Sequence, residues 1–153
     1  MMKRVMVAVK SVQRDIAGED TVIELVSPGK YYERGGVKYI RYEESEVTGL
    51  EGVQTTIKVY PTSIVLLRNG KVTMRHYYEL GKERESEYKT PFGNLKMVVN
   101  THELTTDITD GIGRVHLGYD ISVGGDWQFY NQLDIELRED AEYGNEGRAE
   151  TGH

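Results

Sequence analysis

The sequence predicts an all-β fold, a single antiparallel up-and-down β-barrel of about eight to ten strands, and three observations carry that prediction. Apolar and polar residues alternate from one end of the chain to the other, and no window shows a convincing 3.6-residue period. Glycine punctuates the alternation about every ten residues, the spacing of an antiparallel meander. An open sheet of so many strands with one apolar face would leave two edges and a large exposed patch, so the chain is expected to close on itself, and short sequential turns favour the up-and-down order.

Val5, Val7 and Val9 open the first strand, which reaches about Ile16 and turns at Gly18 to Asp20. The second runs from Thr21 through Ile23 and Leu25 to Gly35 and Gly36; Pro28 cannot donate a ladder bond, so a bulge or an edge is expected there. The third strand is VKYIRYEESEVT (37–48), and after a turn at Gly49 to Gly52 come VQTTIKVY, a turn at Pro61, SIVLLR, and Asn69-Gly70, the strongest short hairpin signal in the chain. KVTMRHYYEL, a turn near Gly81 and ERESEYKT follow. Beyond Pro91 to Gly93 a long strand runs from Asn94 to about Ile108. Leu104, Thr106 and Ile108 switch parity relative to Met97, Val99 and Thr101, which predicts a bulge near His102 and Glu103.

The last hairpin is RVHLGYDISV and WQFYNQLDIELR. Its apolar residues are odd-numbered on both strands, and directly opposed residues share a face, so a three-residue loop of Gly124, Gly125 and Asp126 is expected. That loop pairs Val123 with Trp127, Ile121 with Phe129, Tyr119 with Asn131 and Leu117 with Leu133, and it puts Trp127 and Asn131 on the core face. The same parity turns Glu44 inward, opposite Thr55, and carries His76 and Leu80 onto the core face of their strand. Arg68 is ambiguous: a two-residue Asn69-Gly70 loop opposes it to Lys71 on the outer surface, and a bulged three-residue loop frees it.

At 153 residues the chain is long enough to fold as one domain, taken here as residues 1–138, without staples. It has no cysteine, which excludes disulfides, thiol catalysis and cysteine-ligated zinc. The start, MMKRVMVAVK, has neither the length nor the cleavage site of a signal peptide, so a cytoplasmic protein with no membrane partner is expected. Net charge is −6, of which residues 139–153 hold −4, leaving no basic stripe for nucleic acid. Those fifteen residues, EDAEYGNEGRAETGH, have no apolar period and read as an acidic, disordered tail.

Catalytic signatures fail for physical reasons. His102-Glu103 looks like half of a zinc-protease helix motif, but Thr106 stands where the second histidine belongs and the segment is a strand. Gly111-Ile112-Gly113 lies between antiparallel strands, without the helix N-terminus a phosphate needs. No cofactor motif or metal cluster is recognised, and the four histidines do not group by spacing or by face. What remains is a set of polar residues directed inward: Glu44, His76, Tyr88, Thr90, Thr101, Tyr119 and Asn131, with Arg68 as a possible partner for Glu44. Such a set makes either a satisfied core network or a ligand cavity, since an eight- to ten-stranded barrel can be filled by its own side chains or hold one small molecule.

YEESEVTG (42–49), LLRNGKV (66–72), EYKTPFG (87–93) and NQLDIEL (131–137) are the stretches by which the chain resembles the YwiB-like family of uncharacterised bacterial proteins. The resemblance covers about residues 1–138 and implies a lipocalin-like, calycin-type β-barrel without an assigned activity. The positions that look characteristic of the family fall on Glu44, Ser45, Gly49, Arg68, Gly70, Tyr88, Thr90, Pro91, Gly93, Thr101, Tyr119 and Asn131. True lipocalins carry Gly-x-Trp on the first strand, and here no tryptophan precedes Trp127, which argues against a secreted carrier of hydrophobes. Two functions are therefore expected in competition: a non-catalytic protein holding a small ligand in the barrel, and an interaction module using its outer face, an edge strand or the acidic tail. An enzyme is the weaker third, because only Glu44 and His76 offer acid or base and no motif positions them.

Overall fold

The computed structural model describes residues 2–140, and in it the alternating pattern becomes ten strands: β1 (Lys3–Asp15), β2 (Asp20–Arg34), β3 (Val37–Glu43), β4 (Gln54–Val59), β5 (Ser63–Asn69), β6 (Thr73–Glu79), β7 (Glu83–Thr90), β8 (Gly93–Thr109), β9 (Ile112–Val123) and β10 (Asp126–Glu139). Each pairs antiparallel with the next, and β1 returns to β10 from Val5 opposite Glu139 to Asp15 opposite Phe129, closing the barrel. Closure turns one face of every strand inward, so Val5 and Val7, Ile40, Ile57, Ile64 and Leu66, Val115 and Leu117, and Ile135 and Leu137 meet as one core. Each such side chain taken from water contributes about 1.5–3 kcal/mol.

The two ends of the barrel differ. The end carrying the β2–β3, β4–β5, β6–β7 and β8–β9 turns, here the floor, is occupied by these buried aliphatic residues with Tyr31 and Tyr78. The other end, the mouth, carries the β1–β2, β3–β4, β5–β6, β7–β8 and β9–β10 connections.

Several connections depart from the expected geometry. The β9–β10 loop has two residues, Gly124 and Gly125, both at positive φ (61° and 86°), so Val123 faces Asp126. Two glycines in that conformation make the primed turn whose twist suits a hairpin. The odd residue is absorbed by a bulge between Trp127 and Phe129, after which Phe129 faces Ile121, Asn131 faces Tyr119 and Leu133 faces Leu117 as expected. Trp127 is lost from the core: it lies opposite Ser122, 40% exposed, and its indole donates to Asp120 at 2.9 Å.

Asn69-Gly70 does not make a tight turn either. Arg68 faces Met74, so a wider connection spans the pair, and Gly70 (φ 140°) lies so close to Gly52 that a Cβ would meet the Gly52 carbonyl oxygen at 2.5 Å. The loop is therefore shaped by packing on a neighbouring connection. Leu80, expected in the core, sits 57% exposed in the β6–β7 turn. The bulge at His102 is present: Thr101 faces Tyr119, and Glu103 faces Gly118.

The third strand stops at Glu43 and does not reach Thr48. Ser45 caps a single 3₁₀ turn, Glu46–Thr48, its hydroxyl accepting from the Val47 amide at 3.1 Å, and Gly49 ends the turn in the left-handed region. Pairing of β2 with β3 begins at Gly29 opposite Tyr42. Pro28 thus lies where that ladder ends, an edge position suited to a residue without an amide donor. Toward the mouth, β2 pairs with β1 alone, and residues 44–53 fill the gap between β2 and β4. At the chain's end the barrel outruns its expected boundary at residue 138, for β10 continues to Glu139 and Asp140 is buried 3.6 Å from Arg4. The rest of the acidic tail, 141–153, lies outside the described residues.

Candidate functional site: a polar chamber at the barrel mouth

Eight strands give a barrel interior just wide enough for side chains to fill, and the diameter grows with strand number. With ten, space remains: a chamber of about 240 Å³ occupies the mouth half of the barrel. Its walls are apolar at Val9, Ile23, Leu25, Met74, Met97, Ile121, Phe129 and Leu133, and polar at Ser11, Gln13, Tyr42, Glu44, Arg68, His76, Tyr88, Tyr119 and Asn131. Thr48 and Leu50, from the segment that replaces a strand between β2 and β4, complete it.

The polar groups form two connected sets. In the first, the Ser11 hydroxyl donates to Asn131 Oδ1 (3.0 Å) and Asn131 Nδ2 donates to the Tyr119 hydroxyl (2.9 Å). The Tyr78 ring lies against that of Tyr119, with ring centroids 4.7 Å apart, and the Tyr78 hydroxyl lies 2.9 Å from His76 Nδ1. Asn131, the outsider on an apolar face, thus has the partners a buried amide requires. Burial and the nearby positive charge of Arg68 hold the His76 ring down to about 3, so it is neutral in the folded protein.

The second set is ionic. Arg68 Nε lies 3.7 Å from Glu44 Oε2, and Thr55 donates its hydroxyl to the same oxygen. Glu44 itself sits one step beyond the β3–β4 ladder, its amide bonded to the Val53 carbonyl at 2.9 Å, so Tyr42 rather than Glu44 stands opposite Thr55. Arg68 points inward, its side chain 22% exposed, which decides between the two directions that the sequence left open. Its remaining contact is a long one, 3.9 Å to the Met74 sulfur. Burial first, and the Glu44 carboxylate next, push the Tyr42 hydroxyl above the usual tyrosine range.

Of the residues singled out by sequence, Glu44, Arg68, His76, Tyr88, Tyr119 and Asn131 come together around the chamber. Thr90 does not: its hydroxyl accepts from the Phe92 amide at 3.1 Å and donates to the Gly93 carbonyl at 2.8 Å, shaping the β7–β8 turn. Thr101 is fully buried but lies outside the chamber wall. Ser11 and Gln13 were missed, although they continue the odd-numbered inward face begun by Val5, Val7 and Val9. Also missed was a cluster on the outer face of β8, β9 and β10. His116 bonds Asp134 through Nδ1 (2.6 Å) and Glu103 through Nε2 (2.8 Å), while His102 meets Asp120. The bulge at Thr101–Glu103 aims Glu103 there, and Gly118 leaves the room: a Cβ on it would strike the Tyr130 hydroxyl and come within 2.6 Å of Glu103 Oε1.

The model of a domain of unknown function, DUF1934, matches residues 7–135. The chain belongs to the DUF1934 family. Among its relatives the uncharacterised β-barrel protein YwiB of Bacillus subtilis is 31% identical over 127 residues, which make up 83% of this chain and 87% of that protein. The crystal structure of the Bacillus subtilis YwiB protein superposes with a TM-score of 0.77 at 29% identity, covering 88% of this chain and 92% of that one. The DUF1934 barrel is therefore shared by both proteins, and the name of the relative assigns no activity.

Proposed function

We propose that this protein is a non-catalytic cytoplasmic binding protein that holds one small molecule inside the mouth half of its barrel. The observation that carries the reading is the chamber itself: a concave space where apolar side chains and convergent polar groups meet, the form of a ligand site, in a barrel whose other half is occupied by buried aliphatic side chains. Ligand-holding barrels of the lipocalin and calycin type use their interiors in this way, which supports the calycin-like expectation. At about 240 Å³ the space is smaller than the roughly 300–1,000 Å³ that drug-sized ligands occupy, so the occupant is small. A non-catalytic role fits the engagement of the two acid–base candidates, Glu44 by Arg68 and Thr55, His76 by Tyr78.

Native mass spectrometry of the full chain, purified without organic solvent, tests the reading. The expected result is a low-mass adduct at one copy per chain that is lost in Leu25→Trp, a substitution that fills the chamber. Persistence of the adduct in a folded Leu25→Trp protein would place it elsewhere and defeat the proposal.

A second reading, an interaction module, is favoured by the apolar side chains that the mouth connections expose: Ile16 at 85%, Val47 at 60% and Phe92 at 99%. Concentration-dependent association that disappears in Ile16→Ser/Phe92→Ser, with the chamber unaffected, would select it.

A further inference from the structure

Two groups on the chamber wall have no hydrogen-bond partner among the described residues: Nε2 of His76, a residue 5% exposed, and Nε of Arg68. Burying such groups unpaired is costly, and an occupant that pairs them recovers that cost. Arg68 Nε is a donor at any working pH. For His76 the bond to Tyr78 supplies the sense. Tyr78 is fully buried and the hydrogen bond of its hydroxyl runs to His76 Nδ1 at 2.9 Å, so the hydroxyl proton is given to that nitrogen. The single proton of the neutral ring then resides on Nε2, and both unpaired groups are donors.

Charge narrows the occupant further. Glu44 and Arg68 offset one another and His76 is neutral, so the chamber has no surplus charge to compensate an ion removed from water. Glu44 Oε2 is engaged by Thr55 and Arg68.

We infer that the chamber selects a small uncharged amphiphile, its carbonyl or amide oxygen accepting from His76 Nε2 and Arg68 Nε and its apolar part lying against Leu25, Ile121, Phe129 and Leu133. The inference rests on the reading of the chamber as a binding site. It defines a head group and a tail end: the oxygen is deep, beside β5 and β6, and the apolar remainder faces β1, β2, β9 and β10.

Four probes of nearly equal size separate the possibilities when titrated calorimetrically into the full chain: phenylacetamide, phenylacetate, phenethylammonium and ethylbenzene. Phenylacetamide is expected to bind about ten-fold more tightly than each of the others, the factor that 1.4 kcal/mol of satisfied buried hydrogen bonding supplies. It is also expected to shift the Nε2 signals of His76 in the ¹⁵N spectrum of the wild-type protein, a readout that needs no variant. His76→Leu, where folded, should reduce the preference for the amide over ethylbenzene. Equal binding of ethylbenzene, or tightest binding of either ion, would overturn the inference and leave the binding reading standing. If none of the four binds and the ring signals do not move, both fall.

Discussion

Two halves of one barrel, built from the same ten strands, end up with different physics. At the floor the inward positions are Val, Ile, Leu and Tyr, and they fill the space; at the mouth the same inward register brings Ser11, Glu44, Arg68, Tyr119 and Asn131 around a chamber. His76 sits between them, tied to the floor through Tyr78 and on the chamber wall with Nε2 buried and unpaired. The difference teaches that closing a barrel and filling it are separable demands: the aliphatic half supplies stability, and the polar half leaves a space that the same strands do not fill.

The largest effect expected from breaking this contrast is a cavity in the packed half. Ile135→Ala, at a residue 1% exposed, should cost about 2–5 kcal/mol in urea unfolding. Leu133→Ala, two residues nearer the mouth and already facing the chamber, should cost about half as much, because fewer contacts are lost. Equal losses would mean that the chamber is filled in solution.

Next comes acid. The folded His76 ring stays neutral down to about pH 3, whereas an unfolded histidine takes up its proton near pH 6.5. The unfolded state therefore binds more protons between those limits, and stability falls as the pH drops from about 6.5, by about 2 kcal/mol at pH 5. Comparison of wild type with His76→Leu by urea melts across that range isolates this contribution, and an unchanged slope would remove His76 as its source.

Asn131→Leu should cost about 1–2 kcal/mol, since it strands Tyr119 in the interior and Ser11 at a half-buried position, and it should also abolish any adduct seen by native mass spectrometry. Loss of stability with the adduct retained would confine Asn131 to a structural role.

The smallest effect has the opposite pH sign. Burial lowers the His116 ring, but its bonds to Glu103 and Asp134 outweigh that and leave it above the usual histidine value. Its contribution is thus complete below about pH 6.5 and lost as the pH rises through the raised value, and at this partly exposed surface it amounts to less than about 1 kcal/mol. A double-mutant cycle between His116→Gln and Asp134→Asn, run at pH 6 and pH 9, should show coupling at the lower pH alone.

The barrel was legible because alternation over long strands leaves one face for the core, and the pairing of Tyr119 with Asn131 survived a loop one residue shorter than expected because the bulge restores the register. Parity is insensitive to where an extra residue goes. The β9–β10 hairpin puts it in a bulge after Trp127 rather than in the turn, so every pair from Phe129 onward was readable while Trp127 was not. Arg68 was undecidable because its direction depends on Gly70 lying against Gly52, a contact between loops with no trace in local sequence. The bonds of His116 to Glu103 and Asp134 escaped for a related reason: three adjacent strands and a bulge bring those side chains together.

The segment between β3 and β4 sets a clock. Its internal backbone bonds are Glu44 to Val53, Thr48 to Ser45, Gly49 to Glu46 and Val53 to Leu50, and it carries the chamber-lining Thr48 and Leu50. Releasing it breaks far less structure than parting any long ladder, so it belongs to the low-stability end of the molecule's opening events. A guest's residence time would then follow how often residues 44–53 let go rather than how well the guest fits, and amide hydrogen exchange at Thr48, Gly49 and Val53 would report the same frequency in the empty protein.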